Sequence, residues 1–109
     1  MGTDQKFFIV LTTFPADGDA EQFASRLVEE KLAACVNILP VMKSVYAWKG
    51  ALERSDERQL LIKTTDDRLG ELEARLLALH PYEVPEFLLV PIAGGCPDYL
   101  SWVVENTRP

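Results

Sequence analysis

Residues 6–13, KFFIVLTT, form an almost unbroken apolar and β-branched run, which suits a strand buried on both faces. The turn FPADGD follows, and its Asp19 stands as an N-cap with Gln22 three places on as capping-box partner. Behind that cap Ala20, Phe23, Ala24, Leu27, Val28 and Leu32 recur at helical spacing and predict one amphipathic helix. Residues 34–48, ACVNILPVMKSVYAW, read as a long strand. Pro40 cannot donate to a ladder, so it marks a bulge, a bend or an exposed edge. WKGALERSDE reads as a hairpin connection around Gly50, and RQLLIKTT as the next strand. In TDDRLGELEARLLALH, Asp66 is a candidate cap and Leu69, Leu72, Leu76 and Leu79 share one face of a second helix. Gly70 costs that helix about 1 kcal/mol relative to alanine. It ends near His80, the single histidine, because Pro81 pushes the residue before it out of the α region. A protonated imidazole there is also favoured by the helix dipole. FLLVPIAG predicts a further strand and CPDYLSWVVENT a short C-terminal helix.

The order strand, helix, strand, strand, helix, strand over residues 1–109 describes one α+β domain. It is the ferredoxin-like split βαβ sandwich, an antiparallel sheet with two helices on one face. Two helices cover only one face of such a sheet. Yet the first strand sends Phe7, Ile9 and Leu11 to one side and Phe8 and Val10 to the other. The later strands do likewise, with Leu60 and Ile62 against Leu61, and Phe87 and Leu89 against Leu88 and Val90. An apolar set of that size left in water marks an interaction surface, so the pattern predicts an oligomer built through the open sheet face. Periodicity does not fix the subunit number.

Composition narrows the function classes. With 17 acidic against 11 basic residues the formal charge is −6, and there is no basic stripe, which argues against nucleic acid as a partner. The negative charge either favours cations or keeps the protein soluble. No apolar run reaches the roughly 20 residues that span a bilayer. The opening MGTDQKFFIVLTTF lacks the pattern of a signal peptide, and its sixth residue is not the Ser or Thr that myristoylation favours. No membrane partner and a cytoplasmic location are therefore expected. Cys35 and Cys96 match neither CxxC nor a zinc-knuckle spacing and read as free thiols.

Three segments carry more than pattern: AACVNILPVMKSVYAWKG (33–50), QLLIKTT (59–65) and HPYEVPEFLLVPIAGGCPDYLSW (80–102). Together with the EKLAACVNI junction they resemble the CutA family, the divalent-cation tolerance proteins. That resemblance implies a homotrimer of ferredoxin-like subunits, an assembly like that of the PII signalling proteins, and binding of divalent cations, chiefly copper. No obligatory cofactor and no catalytic activity come with it.

Carried over by position, the family's candidate metal ligands fall on Cys35 and His80, and thiolate and imidazole both suit copper or zinc. One thiol and one imidazole do not fill a coordination sphere, and a closed structural zinc site takes four protein ligands. The plainer reading of Cys35 is a small buried hydrophobe in a strand. The resemblance also points to Trp48, Glu57, Lys63, Tyr82, Glu86 and Trp102 as lining clefts between subunits. Polar groups beside aromatics suit a small ligand there, giving a PII-like binding module as the alternative function. Equally, Lys63 and a glutamate form an interface salt bridge while the tryptophans pack the assembly. Enzyme signatures are missing: there is no GxSxG, P-loop or HExxH. Acylphosphatases share the fold but need an arginine in the loop after the first strand, where this chain has FPADGD. RNA-recognition modules display aromatics on the third strand, and QLLIKTT has none.

Overall fold

The structure, a computed structural model, describes residues 5–109; the Met-Gly opening lies outside the described residues. The elements run β1 (Phe7–Pro15), α1 (Ala20–Glu29), β2 (Cys35–Ile38), β3 (Met42–Trp48), β4 (Ala51–Thr65), a 3₁₀ turn (Asp66–Arg68), α2 (Leu69–Leu79), β5 (Leu88–Ile92) and α3 (Pro97–Thr107). The sheet is antiparallel in the order β2-β4-β1-β5, with β3 also pairing on β4. This is the ferredoxin-like order expected from the sequence.

Val10 and Phe14 of β1 and Leu60 and Ile62 of β4 meet Phe23 and Leu27 of α1 and Leu72 and Leu76 of α2 in the core. Leu27, Leu60, Leu72 and Leu76 are fully buried, and each such burial is worth about 1.5–3 kcal/mol. Asp19 caps α1 as read, its Oδ1 accepting the Gln22 N–H at 2.9 Å. The helix closes in a Schellman motif: the Lys31 and Leu32 N–H groups donate to the Val28 and Leu27 carbonyls at 3.0 and 2.9 Å. Lys31 takes the left-handed conformation this requires, φ 62°. Leu32 therefore packs on the core from beyond the helix, and Val28 is 39% exposed instead of sharing the buried stripe.

Other expectations need correction. The stretch 34–48 is two strands, parted by a bulge at Leu39–Val41: Ile38 faces Leu60 and Met42 faces Glu57, so one strand takes an extra residue. Ala51–Asp56 are strand, and the connection is only Lys49–Gly50, both at positive φ as a type I′ hairpin turn demands. Asp66 does not cap α2. It accepts from the Lys6 N–H and the Gln5 amide, and the 3₁₀ turn precedes the helix. The last strand is shorter than FLLVPIAG at both ends: Phe87 lies before it, packed against the core, and Ala93 and Gly94 lie beyond it.

The second face is open in part. Leu88 and Val90 are 54% and 41% exposed, but α3 returns over the end carrying Phe7, Ile9, Lys63 and Ile92. It encloses there a cavity of about 170 Å³ with Tyr99, Leu100 and Val103. Among the described residues no helix is long and apolar enough to cross a membrane.

On the core side, Thr12 is fully buried and its Oγ1 finds no partner among the described residues. A buried hydroxyl without a hydrogen bond is a net cost, and valine has nearly its shape. Thr12→Val is expected to raise stability by about 1 kcal/mol, read as a higher urea midpoint at unchanged slope. An unchanged or lower midpoint would refute the assignment of Thr12 as an unpaired group.

Candidate functional site

The segment His80–Glu86 is stitched to the sheet by side chains. Pro81 and Pro85 fix the backbone φ at two of its positions. His80, the C-cap of α2 with φ −76° and ψ 139°, is nearly buried. Its ring sits among Phe14, Phe23 and Tyr82, at centroid separations of 5.2, 5.9 and 4.8 Å. Nδ1 accepts the Tyr82 N–H at 3.1 Å, so the proton is on Nε2, which donates to the Thr13 carbonyl at 2.7 Å. That is a neutral imidazole with both nitrogens engaged. Burial pushes its pKa down, against the opposing pull of the Thr13 carbonyl and the Glu57 charge. The charged form expected from the helix dipole is thus overridden by desolvation.

Tyr82 carries the connection onward. Its hydroxyl donates to Glu57 Oε2 at 2.6 Å, and burial together with Glu57 pushes the phenol pKa far above its ordinary value. Gln59 donates from Nε2 to the Thr12 carbonyl at 2.9 Å and to Glu86 Oε2 at 3.0 Å. Between this segment and the foot of the β3–β4 hairpin lies a cleft of about 720 Å³. Trp48, Glu57, Tyr82 and Glu86 line it, joined by Tyr46 and Gln59, which sequence reasoning missed. The bulge at Leu39–Val41 brings the first of these into place. In a strand, one extra residue exchanges the two faces. Here it turns Ser44, Tyr46 and Trp48 to the side of β4 that carries Glu57 and Gln59. The Pro40 signal was in the sequence, but the direction of the shift was not.

The other two expected cleft residues lie elsewhere. Lys63 is on the open sheet face beneath α3, its Nζ 5.8 Å from the Tyr99 ring centroid. Trp102 is on α3, 42% exposed, with Tyr99 at 5.5 Å. Cys35 faces Lys63 across the β2–β4 pair. His80 lies with Phe14 and Phe23 on the helix side and bonds Thr13, whose β4 partner is Gln59. The two residues expected as joint ligands are therefore on opposite faces of the sheet and are not brought together within one chain. Among the described residues no three His, Cys, Asp or Glu side chains are grouped to hold a metal ion.

This α+β sandwich is the architecture of solved divalent-cation tolerance proteins. The Thermus thermophilus divalent cation tolerance protein Cut A1 superposes with a TM-score of 0.88 at 48% identity, covering 93% of this chain and 98% of that one. CutA1 from Oryza sativa gives 0.90 at 40% identity, covering 94% of each. Residues 8–106 match the family described as CutA1 divalent ion tolerance protein, and the chain belongs to that family. Among relatives by sequence, the Thermus thermophilus protein aligns over 99 residues, 91% of this chain and 96% of its own. The Arabidopsis thaliana protein named CutA, chloroplastic, is 42% identical over 92% of this chain and 55% of its own length.

The lowered His80 pKa has a pH consequence with a fixed sign. Unfolded, the imidazole takes a proton below about pH 6.5, while the folded state still holds it neutral. Stability from His80 is therefore complete above that value and is lost as pH falls below it. Comparing urea unfolding of wild type and His80→Gln between pH 7.5 and 5, the wild type is expected to lose more stability on acidification. Parallel curves would show that the imidazole stays uncommitted.

Proposed function

We propose that this chain is a homotrimeric, non-enzymatic, divalent-cation-binding protein of the cytoplasm, with copper as its chief cargo. Membership of the tolerance family supports the divalent-cation role. The observation that carries the finer reading is the position of Cys35: a half-buried thiol on the open, largely apolar sheet face, where copies of the chain would meet. One chain offers no group of three ligands among its described residues, so a full coordination sphere draws on more than one copy. A thiolate is a soft ligand and favours copper over calcium or magnesium.

Assembly is supported by surface that is costly to leave in water. Leu88 and Val90 on β5 and Val45 and Leu52 on the β3–β4 hairpin are 41–64% exposed. Beyond the Met42–Glu57 pair that hairpin is a two-stranded ribbon with no third strand among the described residues. Such a ribbon is marginal by itself in water. The number three comes from the family resemblance. Free thiols at Cys35 and Cys96 suit a reducing compartment.

Native mass spectrometry of chelator-treated protein, titrated with copper and with zinc, tests the proposal. A trimer with a saturable, integral copper load is expected. Cys35→Ser should abolish that load, while His80→Gln, whose imidazole is already committed to Thr13 and Tyr82, should keep it. A monomer, or copper uptake indifferent to Cys35, would overturn the reading.

A further inference from the structure

The cleft at the foot of the hairpin has no part in that reading, and its chemistry points to another ligand. We propose that it binds a small organic monocation: an ammonium head on a short apolar or aromatic body. Its walls are Tyr46, Trp48 and Tyr82, and its carboxylates are Glu57, Glu83 and Glu86. No lysine or arginine is among the residues lining it, so the charged groups an anionic ligand would meet on its walls are all carboxylates. Glu57 is 6% exposed, and among the described residues the Tyr82 hydroxyl, bonded to Oε2, is its one hydrogen-bond partner. A buried carboxylate with an oxygen to spare favours a cationic donor over a neutral one.

Aromatic faces separate the two kinds of cation. A hydrated divalent ion gains little from indole and phenol rings, whereas an alkylammonium is held by their electron-rich faces. The chain supplies its own example at the rim. Lys49 Nζ lies 5.6 Å from the Trp48 ring centroid and 3.9 Å from Glu83 Oε1, an alkylammonium between an indole and a carboxylate. The cleft is also set in advance of binding. His80 anchors the base of the 80–86 segment, Tyr82 bonds Glu57, and Gln59 bonds Glu86. At about 720 Å³ it is within the usual range of small-molecule sites, roughly 300–1,000 Å³. None of this rests on Cys35 or on copper.

The test uses the assembled protein carrying Trp102→Phe, which leaves Trp48 as the only tryptophan. It is titrated with benzylammonium, benzyl alcohol and benzoate, following fluorescence and heat in parallel. Expected are saturable binding of benzylammonium, at least ten-fold weaker binding of benzyl alcohol, and none of benzoate. Glu57→Gln, which retains an acceptor for Tyr82, should weaken benzylammonium ten-fold or more while circular dichroism and assembly mass stay unchanged. Should that variant fail to fold, Trp48→Leu followed by calorimetry must show the same loss. Equal binding of the alcohol and the ammonium would reduce the cleft to an apolar hollow and overturn the proposal. So would the absence of binding, the result if a neighbouring copy fills the cleft.

Discussion

Fifteen residues of continuous strand, Ala51–Thr65, set the register of most of the molecule. β1, β2 and β3 all pair with β4, and only β5 is placed through another strand, β1. The half from Glu57 to Thr65 is buried between neighbours and supplies Leu60 and Ile62 to the core. The half from Ala51 to Asp56 pairs with β3 alone and is largely exposed. One strand thus belongs to two environments, and the cleft forms where it passes from one to the other, at Glu57 and Gln59. The pairing is also non-local: Phe7 meets Thr65, 58 residues further along the chain. Contacts of that span cannot form before a long loop has closed, so the central sheet is slow to nucleate. The β3–β4 hairpin, with its two-residue turn, has no such barrier and can close in about 1–10 μs.

What could be read from the sequence follows from where burial imposes a pattern. β1, α1 and α2 were legible because each turns a set of apolar side chains to the core. Asp19, the Leu69–Leu79 stripe and the stop at His80 all announce themselves in local chemistry. The outer half of β4 did not, because ALERSD alternates nothing: a ribbon exposed on both faces has no reason to separate apolar from polar positions. Asp66 was misread as a cap because the sequence does not show that Gln5 and Lys6 lie beside it. The return of α3 over the open face was equally hidden. The Thr65–Thr107 hydroxyl contact at 3.3 Å that marks it joins residues with no local relation.

The same limit governed the site. The family resemblance grouped Trp48, Glu57, Tyr82 and Glu86 in clefts between subunits; within one chain these four line a single cleft. Lys63 and Trp102 belong to the other end of the sheet, six residues of β4 and a whole helix away. For His80 the deciding facts are two hydrogen bonds between ring and backbone: Nε2–H donates to the Thr13 carbonyl, and Nδ1 accepts the Tyr82 N–H. A lone histidine next to a proline gives no hint of them. Its role here is architectural: it ties the end of α2 to β1 and sets the starting angle of the segment that walls the cleft.

The bulge at Leu39–Val41 has a consequence for how chains of this kind can vary in length. A connection between strands ordinarily tolerates added or missing residues, since its ends need only stay close. This one sits between two fixed registers: Ile38 is held opposite Leu60, and the two-residue hairpin turn holds Met42 opposite Glu57. Removing one residue here would restore one-to-one pairing between those points and leave Tyr46 and Trp48 on the face they hold now, with only the local bend and twist lost. Changes of length would therefore be recorded here in the angle at which the hairpin leaves the sheet, and so in the width of the cleft, not in which side chains wall it.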